Sequence, residues 1–179
     1  SSYKLFTLLA WLEKGYGLNA VFNASVRSLP EASFPDSCGD SGASIYKFTN
    51  DENEQGATTI MTATARSINA VFLQMATKLD MCKITQLATD LGVHNANGSP
   101  LSQLPSCVIG GCTNTIAPLT MAAAYAAIAD NGFYCTPIAV TKIVSASGED
   151  LVGEKAKCHR AIPKNIANAS AQALLGALS

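Results

Sequence analysis

The chain has 179 residues, enough for one domain with a real core and too few to expect two independent ones. Hydrophobic residues make up 48% and charged residues only 14%, which excludes a disordered chain. A formal net charge of -1 excludes the clustered Lys and Arg that phosphate recognition needs, so nucleic acid is not an expected partner.

Ser1 to Lys14 is predicted to be a helix, because Tyr3, Phe6, Thr7, Ala10 and Trp11 recur at helical spacing and Gly15 and Gly17 stop it. It is apolar nearly all round and is therefore expected to be central and buried. From Asn19 to Asn53 the chain turns polar, with Pro30, Pro35, Gly39 and Gly42, and predicts an irregular surface segment with a strand-like piece at Ser44 to Phe48. Ala57 to Ala65 and Ala70 to Leu79 are two helical patterns that meet at Arg66-Ser67-Ile68-Asn69, and Thr85 to Leu91 is a third, closed by Gly92. Asn95 to Gly111 is expected to be a loop. Pro118 then opens the best-defined helix, which Asn131-Gly132 closes. Thr136 to Val144 alternates like a strand, Ser147-Gly148-Glu149-Asp150 is a turn, and Lys157 to Ile162 fits a return strand. A last helix starts near Asn165. The coarse class is mixed α and β, mostly helical. No apolar run reaches the length of a membrane span and no signal peptide opens the chain, so an exported parent would carry its targeting segment upstream of Ser1.

Six cysteines, Cys38, Cys82, Cys107, Cys112, Cys135 and Cys158, are an even number with no CxxC pair. That favours disulfides in an oxidising compartment over buried free thiols in a cytosolic protein. Cys135 and Cys158 flank the two predicted strands around Ser147-Gly148 and are expected to pair. Cys107 and Cys112, which bracket Gly110-Gly111, are the next expected pair.

Two short motifs carry chemistry. Ser1-Ser2-Tyr3-Lys4 is an S-x-x-K tetrad at the start of a buried helix, where residues three apart share a face. A serine hydroxyl is a weak nucleophile and needs an adjacent base, which a desolvated lysine can be. The helix N-terminus also offers backbone N–H groups to a developing oxyanion. Alone, the tetrad far more often describes a capping serine followed by a solvated lysine. Ser67-Ile68-Asn69 is an S-x-N triad, and residues two apart can face one pocket only from a turn. Ser67 would relay a proton and orient substrate, and Asn69 would bond to substrate backbone and to Lys4. Its plain alternative is an N-cap.

S-x-x-K followed by a serine-containing second motif and K-T-G is the signature of penicillin-binding proteins and serine β-lactamases. The first two stand here in chain order. The surrounding text, Phe6-Thr7-Leu8-Leu9-Ala10, Gly56-Ala57-Thr58-Thr59-Ile60, and Ala117-Pro118-Leu119-Thr120-Met121-Ala122 leading to Asn131-Gly132, resembles the transpeptidase domain of class A, bifunctional penicillin-binding proteins, and its general style is similar to actinobacterial members. The resemblance implies the α+β fold shared with serine β-lactamases, with a helix-rich portion and an incomplete antiparallel sheet. It implies a D,D-transpeptidase that cross-links peptidoglycan stem peptides through an acyl-serine, with Ser1, Lys4, Ser67 and Asn69 as its catalytic residues. It further implies β-lactams as ligands that acylate the same serine, no metal or organic cofactor, a membrane anchor upstream, and a place on the extracytoplasmic face of the cell membrane. Neither His94 nor His159 falls in a motif, and both are expected in loops or on the surface. No K-T-G occurs in the 179 residues. Residues 1–179 are therefore expected to be part of one transpeptidase domain, running from the S-x-x-K serine to just before the K-T-G strand. A serine β-lactamase is the alternative, but Met81 to Gln103 holds no glutamate to serve deacylation. A non-catalytic relative that binds β-lactams is the other.

Overall fold

Nine successive residues from Lys4 to Leu12 are buried, so the first helix, α1 (Lys4–Glu13), runs through the middle of the molecule, as its apolar surface requires. This computed structural model describes residues 1–39, 42–151 and 153–178. The helix starts later than the sequence suggests. Ser1 to Tyr3 form a turn whose carbonyls already accept helical bonds, Leu5 N to Ser2 O and Phe6 N to Tyr3 O. Beyond Lys14 the chain reverses at Gly15, whose φ of +85° suits glycine.

The turn-rich stretch that follows holds more regular structure than expected: β1 (Val21–Asn23), β2 (Ser28–Pro30) and β3 (Ile45–Lys47), with β2 antiparallel to β3. Ala24, Phe34 and Phe48 are buried, so apolar anchors hold it to the core. The expected helix over residues 57–65 divides into β4 (Ala57–Thr59), paired with β1, and α2 (Ile60–Ala65). The reason is local. Thr58 and Thr59 are β-branched and suit a strand, and Thr59 Oγ1 accepts from Thr62 N at 3.2 Å to cap α2.

After α3 (Asn69–Ala76), α4 (Met81–Asp90) begins four residues before the predicted Thr85, because Asp80 caps it by accepting from Cys82 N at 3.0 Å. Gly92 closes it with φ +75°. One helical turn, α5 (Pro105–Val108), interrupts the predicted loop, with Pro105 at its first position. Helix α6 (Pro118–Ala129) matches its prediction, and Asn131 and Gly132 both take positive φ after it.

The strand predicted over residues 136–144 is displaced. Instead β5 (Phe133–Cys135) precedes it and only β6 (Ile143–Val144) remains of it; Pro137, which has no N–H to donate, stands between. β6 turns back into β7 (Asp150–Leu151), and β8 (Cys158–Arg160) pairs with β5 so that Cys135 faces Cys158. Helix α7 (Lys164–Leu175) follows Pro163.

Helix α1 packs against α3, α4 and α7, and α6 packs against α7 and β5. Leu5, Phe6, Leu8, Leu9, Phe72, Ile84 and Leu87 are fully buried at these contacts, each worth about 1.5–3 kcal/mol. The strands form four separate two-stranded antiparallel ladders among the described residues. Cys135–Cys158 and Cys107–Cys112 are disulfides as expected, and Cys38–Cys82 is the third.

Candidate active site

Ser1 is exposed at the edge of a cleft of about 520 Å³ that Tyr3, Gly110, Asn114, Met121 and Tyr125 also line. Its Oγ accepts a hydrogen bond from Tyr3 N at 3.3 Å. The N-cap of α1 is Tyr3 itself, so this bond belongs to the turn ahead of the helix and does not cap it, and the same donor stabilises negative charge on Oγ. The capping alternative for Ser1 is therefore not met, because α1 has its N-cap at Tyr3.

Lys4 does not fit the solvated alternative. It is only 5% exposed, and its Nζ lies 5.6 Å from the Phe72 ring centroid. Burial lowers its pKa from 10.5 to about 8, while the carboxylates of Asp51 and Glu54 oppose the shift. Lys4 Nζ donates to Ser67 Oγ at 2.8 Å and to the Ser67 carbonyl at 2.5 Å. A neutral amine has two N–H donors and one lone pair. Ser67 can take both donors, leaving the lone pair for a proton.

Ser67 receives these contacts because of its backbone. It sits between α2 and α3 with φ +55°, a left-handed conformation uncommon for serine, so its carbonyl and hydroxyl both reach Lys4. It is not the N-cap of α3. Ile68 holds that place, and Asn50 Oδ1 accepts from Ala70 N at 2.9 Å to serve the open helix end.

Asn69 is buried at the first position of α3, and its amide donates to Thr49 O at 2.8 Å and to Asp51 Oδ1 at 3.4 Å. The expected bond to Lys4 is not found among the described residues. The amide is turned toward the 49–54 segment, to which no motif in the sequence assigns a role. That segment also supplies the buried Glu54, whose carbonyl accepts from Arg27 and Asn50. The polar run Asp51-Glu52-Asn53-Glu54 was its only sequence signal.

Two further residues shape the site. Tyr125 of α6 donates its hydroxyl to Ser2 O at 3.0 Å, tying that helix to the turn that carries Ser1. Gly110 approaches Ser1 so closely that a Cβ built there would lie 2.3 Å from Ser1 Oγ. The helical spacing of Tyr125 and the Gly110-Gly111 pair were legible, but no local pattern joins either to Ser1. His94 and His159 lie outside, each exposed and bonded to a backbone carbonyl, of Gly92 and Asp90 respectively.

Comparison with known proteins places this geometry in a family. Penicillin-binding protein 1A of Aquifex aeolicus is 31% identical over 114 residues, 64% of this chain and 15% of that protein. Among solved structures, PBPA from Mycobacterium tuberculosis superposes with a TM-score of 0.78 at 16% identity, over 99% of this chain and 43% of that one. The PonA1 protein of the same organism, solved in complex with penicillin V, gives a TM-score of 0.71 at 28% identity, over 96% of this chain and 45% of that one. The chain thus spans under half of each. The family model of the penicillin binding protein transpeptidase domain matches residues 1–175, and the chain belongs to that family.

Proposed function

We propose that this chain carries the acylation machinery of a D,D-transpeptidase that cross-links peptidoglycan stem peptides. Ser1 Oγ attacks the carbonyl between the two D-Ala residues of a stem peptide and gives its proton to neutral Lys4. The peptide C–N bond breaks, and Ser67, bonded to Lys4, passes the proton to the departing amine of the terminal D-Ala. An amine of a neighbouring strand then takes the acyl group and frees Ser1. Asn69 holds the 49–51 segment against the site and orients bound peptide from there. β-Lactams acylate Ser1 by the same attack, with opening of the lactam ring.

The observation that carries the proposal is the buried Lys4, its pKa lowered to about 8, bonded to the second motif one helical turn from Ser1. The penicillin V complex of PonA1 supports β-lactams as ligands. The similarity to penicillin-binding protein 1A supports a class A parent, and a membrane anchor upstream belongs to that reading. Residues 1–179 are then part of one transpeptidase domain, of a family whose signature includes a K-T-G strand. The three disulfides support an extracytoplasmic location.

The test is to treat the full-length protein with penicillin V and map the adduct by peptide mass spectrometry. The adduct is expected on Ser1 and absent from Ser1→Ala. An adduct on another residue, or none, would refute the assignment.

A further inference from the structure

The Cys107–Cys112 disulfide closes a six-residue loop whose middle, Gly110, is the backbone that lies against Ser1 Oγ. Gly110 takes φ +76°, and both the positive φ and the missing side chain are needed for this approach. Gly110 N donates to Cys107 O at 2.9 Å and Gly111 N to Ser106 O at 2.8 Å, so the loop has one defined shape. Its N-terminal end is fixed by the buried Cys107 and Val108. Its C-terminal end is different: Gly110, Gly111 and Thr113 are exposed and Cys112 is half-buried, so the disulfide is the covalent hold on that end. Both cysteines line the cleft together with Ser1.

We propose that the Cys107–Cys112 disulfide is a redox-sensitive lock that positions the Gly110 wall over Ser1, so that its reduction slows acylation of Ser1. This rests on the reading of Ser1 as the nucleophile. Cys112 is half-buried and Cys107 buried, so attack is expected at Cys112. A thiolate of a dithiol reductant attacks Cys112 Sγ, the Cys107–Cys112 bond breaks, and Cys107 leaves as a thiolate that takes up a proton. Asn114 Nδ2, 3.8 Å from Cys107 Sγ, donates to the leaving sulfur. The second thiol of the reductant then displaces Cys112, closes the reductant's own disulfide and leaves Cys112 as a thiol. Two electrons and two protons have passed to the pair. With Cys112 released, hydrogen bonds without the covalent tie hold the Gly110-Gly111 segment, which can then leave its place against Ser1. Misplacement of this order at a reacting centre commonly costs up to about a hundredfold in rate.

The experiment measures the acylation rate of the full-length protein by a fluorescent penicillin with and without dithiothreitol. Alkylation mapping shows which pairs are open, and hydrogen exchange is followed at Gly110, Gly111 and Tyr3. Opening Cys107–Cys112 is expected to slow acylation by about tenfold to a hundredfold, to raise exchange at Gly110 and Gly111, and to reverse on reoxidation. Cys107→Ala/Cys112→Ala should show the slow rate in both conditions, whereas Cys38→Ala/Cys82→Ala should still respond to reductant. Full-speed acylation with Cys107–Cys112 shown open, or unchanged exchange at Gly110 and Gly111, overturns the lock. Absence of acylation in the oxidised protein refutes the nucleophile instead, and the exchange data then still decide whether the disulfide holds the loop.

Discussion

In the proposed mechanism Lys4 is the base, and its environment works in two directions. Burial favours the neutral amine, and Asp51 and Glu54 favour the ammonium, with burial prevailing to give a pKa of about 8. Acylation that uses neutral Lys4 should therefore accelerate as pH rises through about 8. Asp51→Asn and Glu54→Gln each remove a group that favours the charged form, so each should move that midpoint downward. A pH–rate series for acylation by a fluorescent penicillin checks this, and an upward or absent movement contradicts it. The sign of the stability effect follows as well. Between about 8 and 10.5 the unfolded lysine binds a proton that the folded one does not, so Lys4 makes the fold more stable as pH rises across that window.

Among the elements, α1 and α6 were legible from the sequence and the short strands were not. An all-apolar helix has one place to go, and Pro118 and Asn131-Gly132 mark the ends of α6 by backbone chemistry alone. β1 and β4 pair at a separation of more than thirty residues, and no local pattern reports a partner so distant. The site followed the same division. The turn between α2 and α3 was evident because Ser67 and Asn69 could face one pocket only from a turn, whereas the 49–54 segment enters through long-range bonds to α3. Tyr125 is of this long-range kind, joining α6 to the Ser1 turn. Tyr125→Phe keeps the ring and removes that hydrogen bond, which should cost only about 1 kcal/mol of stability. A looser Ser1 turn should slow acylation several-fold, read as the second-order rate constant with a fluorescent penicillin. An unchanged constant would separate Tyr125 from the positioning of Ser1.

At the scale of the molecule, much apolar surface is uncovered. Leu119, Phe133, Val144, Leu151 and Leu175 are exposed, and Leu119, Phe133, Ala122 and Ala126 share a groove on α6. Among the described residues the strands form separate pairs with open edges, which invite further strands. A K-T-G strand, the third motif of the family signature, would cover part of this surface and supply a cation for the substrate carboxylate and an oxyanion donor. Loss of one such donor is commonly worth about a hundredfold or more in rate. Residues 1–179 expressed alone are therefore expected to aggregate or to react with a labelled penicillin at least about a hundredfold more slowly than the full-length protein. A soluble monomer labelled at the full-length rate would show that the third motif contributes little.

The central claim is that a buried neutral Lys4 activates Ser1, and Lys4→Met tests it most directly, since methionine fills the same space without a basic lone pair. In the full-length protein this variant should keep its melting temperature within a few degrees and lose covalent labelling by a fluorescent penicillin. Labelling at the wild-type rate in the folded variant would contradict the account.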